Sequence, residues 1–568
     1  MPSEEMSNPV TLILLLLPAA ISAVGMNCPA TCGSTIPSVT ITDGCLCGTT
    51  MPGLEGGPFD AYLGVPFAKP PVGELRFANP VRNLPWSGAY NASIARGACL
   101  QQNEFNPDRA LAGDEDCLYL NVYKPRAGSG PLPVMAYIHG GGYIAGTAHP
   151  AYVGPEKFMD TGRVVLVTFQ YRVGALGFLS TGHRAAPGNF GLKDQTMALK
   201  WIQENIRRFG GDPAKVTLFG QSAGASSVQL HMVSPLSAGL FAKAISASGS
   251  MLSYWNRPYE DALTLARRQG EALNISNARA ISTEKLVEAL RKVDAKQLVG
   301  SVDKLKFWYN QPIILYRPVV ERYVSKETFL SEDPARLWAS GRYRKVPWLT
   351  GFVPNEGAAL TLGVVTNAVK LPQFLANQTN LLSMFAAVPK SQEKNLLKRF
   401  FAGAPVSNAN IDGFDKMVTE AAFLYPMMKS ILLYRASNPS ASGGSVSLYH
   451  FNFAGRYRYS ALYTGQPMTS RYGIVHGEDL LYLWRSPAVF PDFPRDSPEA
   501  AMSRRLVKLF VDFAYEGKIS GKQSLLTPFN TVEFTNSNSV TDPVKSSPID
   551  GRLMNYLWNV LVWWSNKL

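Results

Sequence analysis

The chain has 568 residues, 46% of them hydrophobic, with a net charge of +13 and a pI of about 9.3. That is ample material for a large buried core, and α/β enzymes of this length often form one unit. The positive charge is spread out: the densest basic run is "RYRK", Arg342 to Lys345, which speaks for solubility and against a nucleic-acid partner.

In chain order, the first element is an apolar segment from Val10 to Ala20, of secretory length and followed by small residues. Residues 1–25 are expected to be a signal peptide, with cleavage after Ala23 or Gly25, although Glu4 and Glu5 stand where positive residues are usual. No composition break marks a second domain, so residues 26–568 are expected to form a single catalytic domain. All six cysteines fall in the first 117 residues: Cys28, Cys32, Cys45, Cys47, Cys99 and Cys117. An even, clustered set in a secreted chain implies disulfides. A Cys99–Cys117 pair would close one loop, and the other four would pair among themselves in a connectivity the sequence leaves open. Zinc is the alternative, but these spacings lack nearby histidines. Asn91, Asn274 and Asn377 head Asn-x-Ser/Thr sequons and are candidate glycosylation sites.

Short β-rich runs follow: "PVMAYIHG", "RVVLVTFQYR", "AKVTLFG", "FAKAISASG", "VPWLTGF" and "SVSLYHFNF". Helical stretches separate several of them. In "DQTMALKWIQENIRRFG", Met197, Leu199, Trp201, Ile202, Ile206 and Phe209 recur at helical spacing before Gly210-Gly211 ends the pattern. Alternating strands and helices predict a large, mostly parallel sheet covered on both faces. "NPSASGG" from Asn438 and "SNSVTDP" from Ser537 are expected to be surface loops. "LMNYLWNVLVWW" near the end is too short to span a membrane and suits a helix docked on the body.

Chemistry concentrates in "FGQSAGA". Ser222 sits between Gly220 and Gly224, after a predicted strand and before a predicted helix. This is the setting of a nucleophile elbow, a turn so tight that its neighbours must be small. A serine hydroxyl needs a base, normally histidine, and six are present. His231 lies on the helix that follows Ser222 and points away; His450 falls inside a strand; His149 and His183 lie among loop residues. His139 heads "HGGGY", where consecutive glycines can turn amides toward a reacting carbonyl. Gly141, Gly142 and the Ala223 amide are the expected oxyanion hole, each donor contributing roughly 3 kcal/mol in the transition state. His476, in "GIVHGEDL", is the last histidine, as the order serine, acid, histidine requires. The acid must lie between Ser222 and His476, and "GFVPNEG" offers Glu356 at the end of a predicted strand, one carboxylate among many by spacing alone.

Taken together, "AGDEDCLYLNVYKP", "HGGGY", "FGGDPAKVTLFGQSAGASSV", "GFVPNEG" and "GIVHGEDL" resemble the type-B carboxylesterase and cholinesterase family over nearly everything after residue 40. The resemblance implies an α/β-hydrolase fold without metal or organic cofactor. It implies a triad of Ser222, His476 and Glu356, oxyanion donors at Gly141, Gly142 and Ala223, and a Cys99–Cys117 disulfide. Two departures sort the subfamily. The loop "LQQNEFNPDRALAGDED" lacks the tryptophan with which cholinesterases bind choline, so a quaternary ammonium loses its best partner. Gln221 replaces the usual glutamate before the serine, as in insect juvenile hormone esterases, and a neutral amide there suits a neutral, apolar ester. The expected protein is a secreted serine carboxylesterase acting on such an ester. A general esterase for dietary, xenobiotic or pheromone esters, and a non-catalytic adhesion protein of the same fold, are the alternatives.

Overall fold

The computed structural model describes residues 28–126, 130–309, 311–438, 445–466, 472–519, 523–524, 527–537 and 544–567. The expected signal peptide and all but the first residue of each expected surface loop lie outside them. Its centre is a sheet of twelve strands among the described residues. From one edge the order is Thr49–Met51, Phe59–Pro66, Tyr119–Pro125, Val165–Phe169, Leu132–Ile138, Gly211–Gln221, Lys243–Ala247, Trp348–Phe352, Val446–Asn452, Thr527–Asn536 and Gln523–Ser524, with Val544–Ser547 also paired to Thr527–Asn536. Every pairing from Val165–Phe169 across to Thr527–Asn536 is parallel. The pairings outside that block are antiparallel, an edge arrangement the sequence pattern had not distinguished.

Alternation along the strands sorts two cores. Val134, Ala136, Ile138, Val165, Val167, Val216 and Leu218 face one, and Met135, Tyr137, Leu166, Phe219, Ile245 and Leu349 face the other. Both are buried, which is why the central strands read as continuous apolar runs. The helices Phe190–Asn205 and Ala223–Val233 cover the first face. Helix Pro498–Glu516 covers the second with Met502, Leu506, Phe510 and Phe513. The expected helix after Asp194 begins earlier, at Phe190, and ends through a 3₁₀ turn at Gly210, whose φ of 79° suits a residue without Cβ.

The chain's end forms helix Gly551–Ser565, docked through Met554, Leu557, Val560, Leu561 and Trp564. Tyr556 and Trp564 of that helix donate to the buried Glu420 carboxylate at 2.9 and 3.2 Å, and Arg399 binds the same carboxylate at 2.7 Å. Glu420 opens a π-helical segment, Glu420–Leu424. Among the described residues no single helix is long and apolar enough to cross a membrane. The open cysteine connectivity resolves as Cys28–Cys45 and Cys32–Cys47, and Cys99 is bonded to Cys117. All six sulfurs are thereby used, leaving no thiolate for the zinc alternative.

Candidate active site

The parallel strands deliver the candidate residues to one edge of the sheet, at the strand C-termini where open α/β sheets carry their sites. Ser222 follows Gly211–Gln221 directly, at φ 58° and ψ −123°, outside both helix and strand regions. Its amide donates to Ala247 O at 2.8 Å and its carbonyl accepts from Ser226, so backbone contacts on both sides hold the strained turn. The packing is close: a Cβ on Gly224 would meet Ile138 O at 2.1 Å, and one on Gly249 would meet Ser222 O at 2.2 Å. Gly249 comes from the loop after the neighbouring strand, and no motif in the sequence marks it.

The "HGGGY" loop follows Leu132–Ile138 and abuts the elbow. A Cβ on Gly140 would lie 3.1 Å from Ser222 Cβ. Gly141, Gly142 and Tyr143 then run through φ of 103°, 62° and 62°, and Gly141 O accepts from Ile144 and Ala145. Ala223 is the first residue of its helix, where the amide has no acceptor within the helix. His139 supports this loop: its ring stacks on Tyr171 at 4.3 Å and its Nδ1 contacts Gly140 O. Burial pulls its pKa down to about 4, so its ring is neutral at ordinary pH.

Glu356 and His476 meet although 120 residues separate them. The Glu356 carboxylate accepts from His476 Nδ1 at 2.5 Å and from the Val353 amide at 3.0 Å. Both residues are buried. The two loops are tied by backbone, Asn355 N donating to Ile474 O at 3.0 Å, and the acid loop is anchored by Gly357 N to Thr419 Oγ1 at 2.8 Å. Phe423, on the π-helical segment, packs on the His476 ring at 4.8 Å, and Tyr463 donates to His476 O. On the other side of the ring, Nε2 is met by the Gln221 amide nitrogen at 3.0 Å. The structure therefore joins Glu356, His476 and Gln221. Ser222 Oγ is not hydrogen-bonded to His476 here; the amide of its neighbour holds that ring atom.

The remaining histidines have structural partners or lie in loops. His231 contacts Gln195 and Ser237, and His450 contacts Glu533. Two apolar side chains border the glycine loop: a Cβ on Gly142 would touch both Phe105 and Ile314 at 3.0 Å. Behind the histidine loop lie two further buried acids, Glu478 and Asp479. Burial pushes Asp479 up to about 6 and Glu478 up to about 7, against the help of Tyr449 and of the Tyr459 amide and Arg458 respectively.

A buried carboxylate, an imidazole and a strained serine beside a glycine loop form a candidate acyl-transfer site, and comparisons with known proteins give the family. Residues 35–547 match the model of the carboxylesterase family. The juvenile hormone esterase of Tribolium castaneum is 36% identical over 520 residues, spanning 89% of this chain and 87% of that protein. The venom carboxylesterase-6 of Apis mellifera is 32% identical, over 85% of this chain and 86% of its own length. The crystal structure of juvenile hormone esterase from Manduca sexta, with OTFP covalently attached, superposes with a TM-score of 0.76 at 25% identity, covering 93% of this chain and all of that one. With the α/β-hydrolase sheet and these matches, the chain belongs to the carboxylesterase family and is a carboxylic ester hydrolase.

Proposed function

We propose that this carboxylesterase hydrolyses a neutral, apolar ester, and that the ester is a juvenile hormone, cleaved to the acid and methanol. The observation that carries the reading is the neutral Gln221 amide on His476 Nε2, in a site walled by Phe105, Ile314 and Phe423. A carboxylate in that place would favour a cationic substrate; an amide hydrogen-bonds without adding charge. Similarity to the Tribolium enzyme supports the same substrate.

In the proposed reaction Ser222 attacks the ester carbonyl while His476 Nε2 accepts the hydroxyl proton, after the Gln221 amide has yielded that position. The oxyanion rests on the amides of Gly141, Gly142 and Ala223. Glu356 keeps the imidazole oriented and stabilises its charged form. His476 then gives the proton to the leaving alkoxide, and a water activated by the same nitrogen clears the acyl-enzyme. Gln221 is in this reading a selectivity residue.

The protein acts outside the cell: the expected signal peptide over 1–25, the three disulfides and sequons at the exposed Asn91, Asn274 and Asn377 support secretion and glycosylation. The test is hydrolysis of juvenile hormone at nanomolar concentration against naphthyl acetate, with Ser222→Ala as control. A kcat/KM for the hormone well above that for the acetate is expected. A preference for the acetate would make this a general carboxylesterase, a reading the honeybee relative favours.

A further inference from the structure

A cavity of about 440 Å³ opens on the side of the sheet covered by helix Pro498–Glu516, and its lining includes none of Ser222, Glu356 or His476. Its volume is that of a small-molecule site. One wall is apolar, built from Leu481, Trp484, Phe490, Phe493 and Val507.

Lys157 enters this wall. Its ammonium donates to Leu481 O at 2.6 Å and lies 4.7 Å from the centre of the Phe493 ring. Among the described residues no carboxylate pairs with it. Glu156 and Asp492, whose fields reach it, are both held by Arg485, at 3.1 and 2.8 Å. Burial pushes its pKa down to about 7 against the pull of those two acids. The other lining acids are also engaged. Asp160 accepts from the amides of Leu54, Glu55 and Gly56, and Glu55 pairs with Arg504. At the rim Arg495 is exposed and forms no ion pair among the described residues. The cavity thus has an apolar wall, carboxylates already occupied, and two cations without an anionic partner.

We infer that this cavity is a second, non-catalytic binding site for an anionic amphiphile, a monocarboxylate whose head meets Lys157 and whose apolar body lies along the Trp484–Phe493 wall. A carboxylate supplies the charge partner that a buried ammonium lacks, whereas a neutral ester leaves the desolvated cation uncompensated. The site therefore favours the acid released by ester hydrolysis over the ester consumed.

The test is calorimetric titration of the full-length protein with laurate, below its micelle-forming concentration, and with dodecanol as the neutral counterpart. Laurate is expected to bind at one site at least ten-fold more tightly than dodecanol. Lys157→Met is expected to lower laurate affinity at least ten-fold while leaving dodecanol binding intact, and Arg495→Ala to lower it a few-fold. Independently of any variant, saturating laurate should shield Lys157 from reductive methylation, read by mass spectrometry. Equal binding of laurate and dodecanol, unchanged laurate affinity in a folded Lys157→Met protein, or undiminished labelling of Lys157 would each overturn the inference.

Discussion

The Gln221 amide nitrogen stands 3.0 Å from His476 Nε2, while Glu356 Oε2 stands 2.5 Å from Nδ1 of the same ring. With Nδ1–H donating to the carboxylate, Nε2 presents a lone pair, and the Gln221 amide N–H donates to it. The imidazole is thus held between a carboxylate and an amide, and in the proposed reaction the amide yields Nε2 to the serine. Gln221→Glu would put carboxylates at both nitrogens and favour the imidazolium. The acid limb of the kcat/KM–pH profile on a neutral ester should move up by about 1–3 pH units. An unmoved limb would show that the contact does not govern the base. The ratio of kcat/KM for a neutral to a cationic ester should fall in the same variant.

Removal of the acyl-transfer parts should be far more costly than any change in the pocket wall. Ser222→Ala is expected to lower kcat by about 10⁶-fold. Glu356→Gln, which loses the charge opposite Nδ1, should lower it by about 10⁴-fold. Combined, the two should cost little more than Ser222→Ala alone, because the residues act as a unit. Single-turnover kinetics on protein with native circular dichroism measures all three.

Gly249→Ala tests the packing behind the elbow. Its Cβ would sit 2.2 Å from Ser222 O and 3.0 Å from Ala225 Cβ, so the turn must shift. Overpacking of this kind costs about 1–3 kcal/mol. The thermal midpoint should fall, and kcat should fall with KM little changed, because the displaced group is the serine and not the pocket wall. Wild-type kcat in this variant would rule the glycine out as a support of the nucleophile.

The buried His231 makes stability depend on pH with a definite sign. Burial holds its folded pKa down to about 3, against 6.5 for the free side chain. Between those values the unfolded chain binds the extra proton, so stability is full above about pH 6.5 and is lost as pH falls toward 3, at about 1.4 kcal/mol per pH unit. Asp479 and Glu478, pushed up to about 6 and 7, act with the opposite sign, so the readout is a difference. His231→Gln should show a flatter decline of thermal midpoint from pH 6.5 to 4.5 than the wild type. Parallel curves would contradict the assignment.

How much of this was legible in the sequence depended on whether a feature is written locally. The elbow is local: strand, Gly220, Ser222, Gly224 and helix lie within one stretch, and the two glycines bracketing the serine mark it. The middle strands were legible for the same reason, since burial on both faces leaves an apolar run. The outer strands Phe59–Pro66 and Tyr119–Pro125 were not, because an antiparallel edge depends on pairing partners far away in the chain. Within the site, Glu356 and His476 were identified by motif and chain order, and their meeting depends on loops joined through Asn355 and Ile474. Gly249, Phe423 and Tyr463 carried no signal, because only the folded sheet brings their loops against Ser222 and His476. The Gln221 contact was also hidden: the residue was conspicuous, but which ring atom its amide would meet is a matter of rotamer and not of order.

The clasp on Glu420 gives the last helix a role beyond closing the chain. Residues 551–567 are no disposable tail for expression or tagging. Cutting them away would strip that carboxylate of its tyrosine and tryptophan donors and leave it leaning on a single guanidinium, three residues from the phenylalanine that presses against His476. An enzyme shortened there would carry all the reacting groups proposed above and is expected to turn over poorly, its fault lying some eighty residues beyond the last of them.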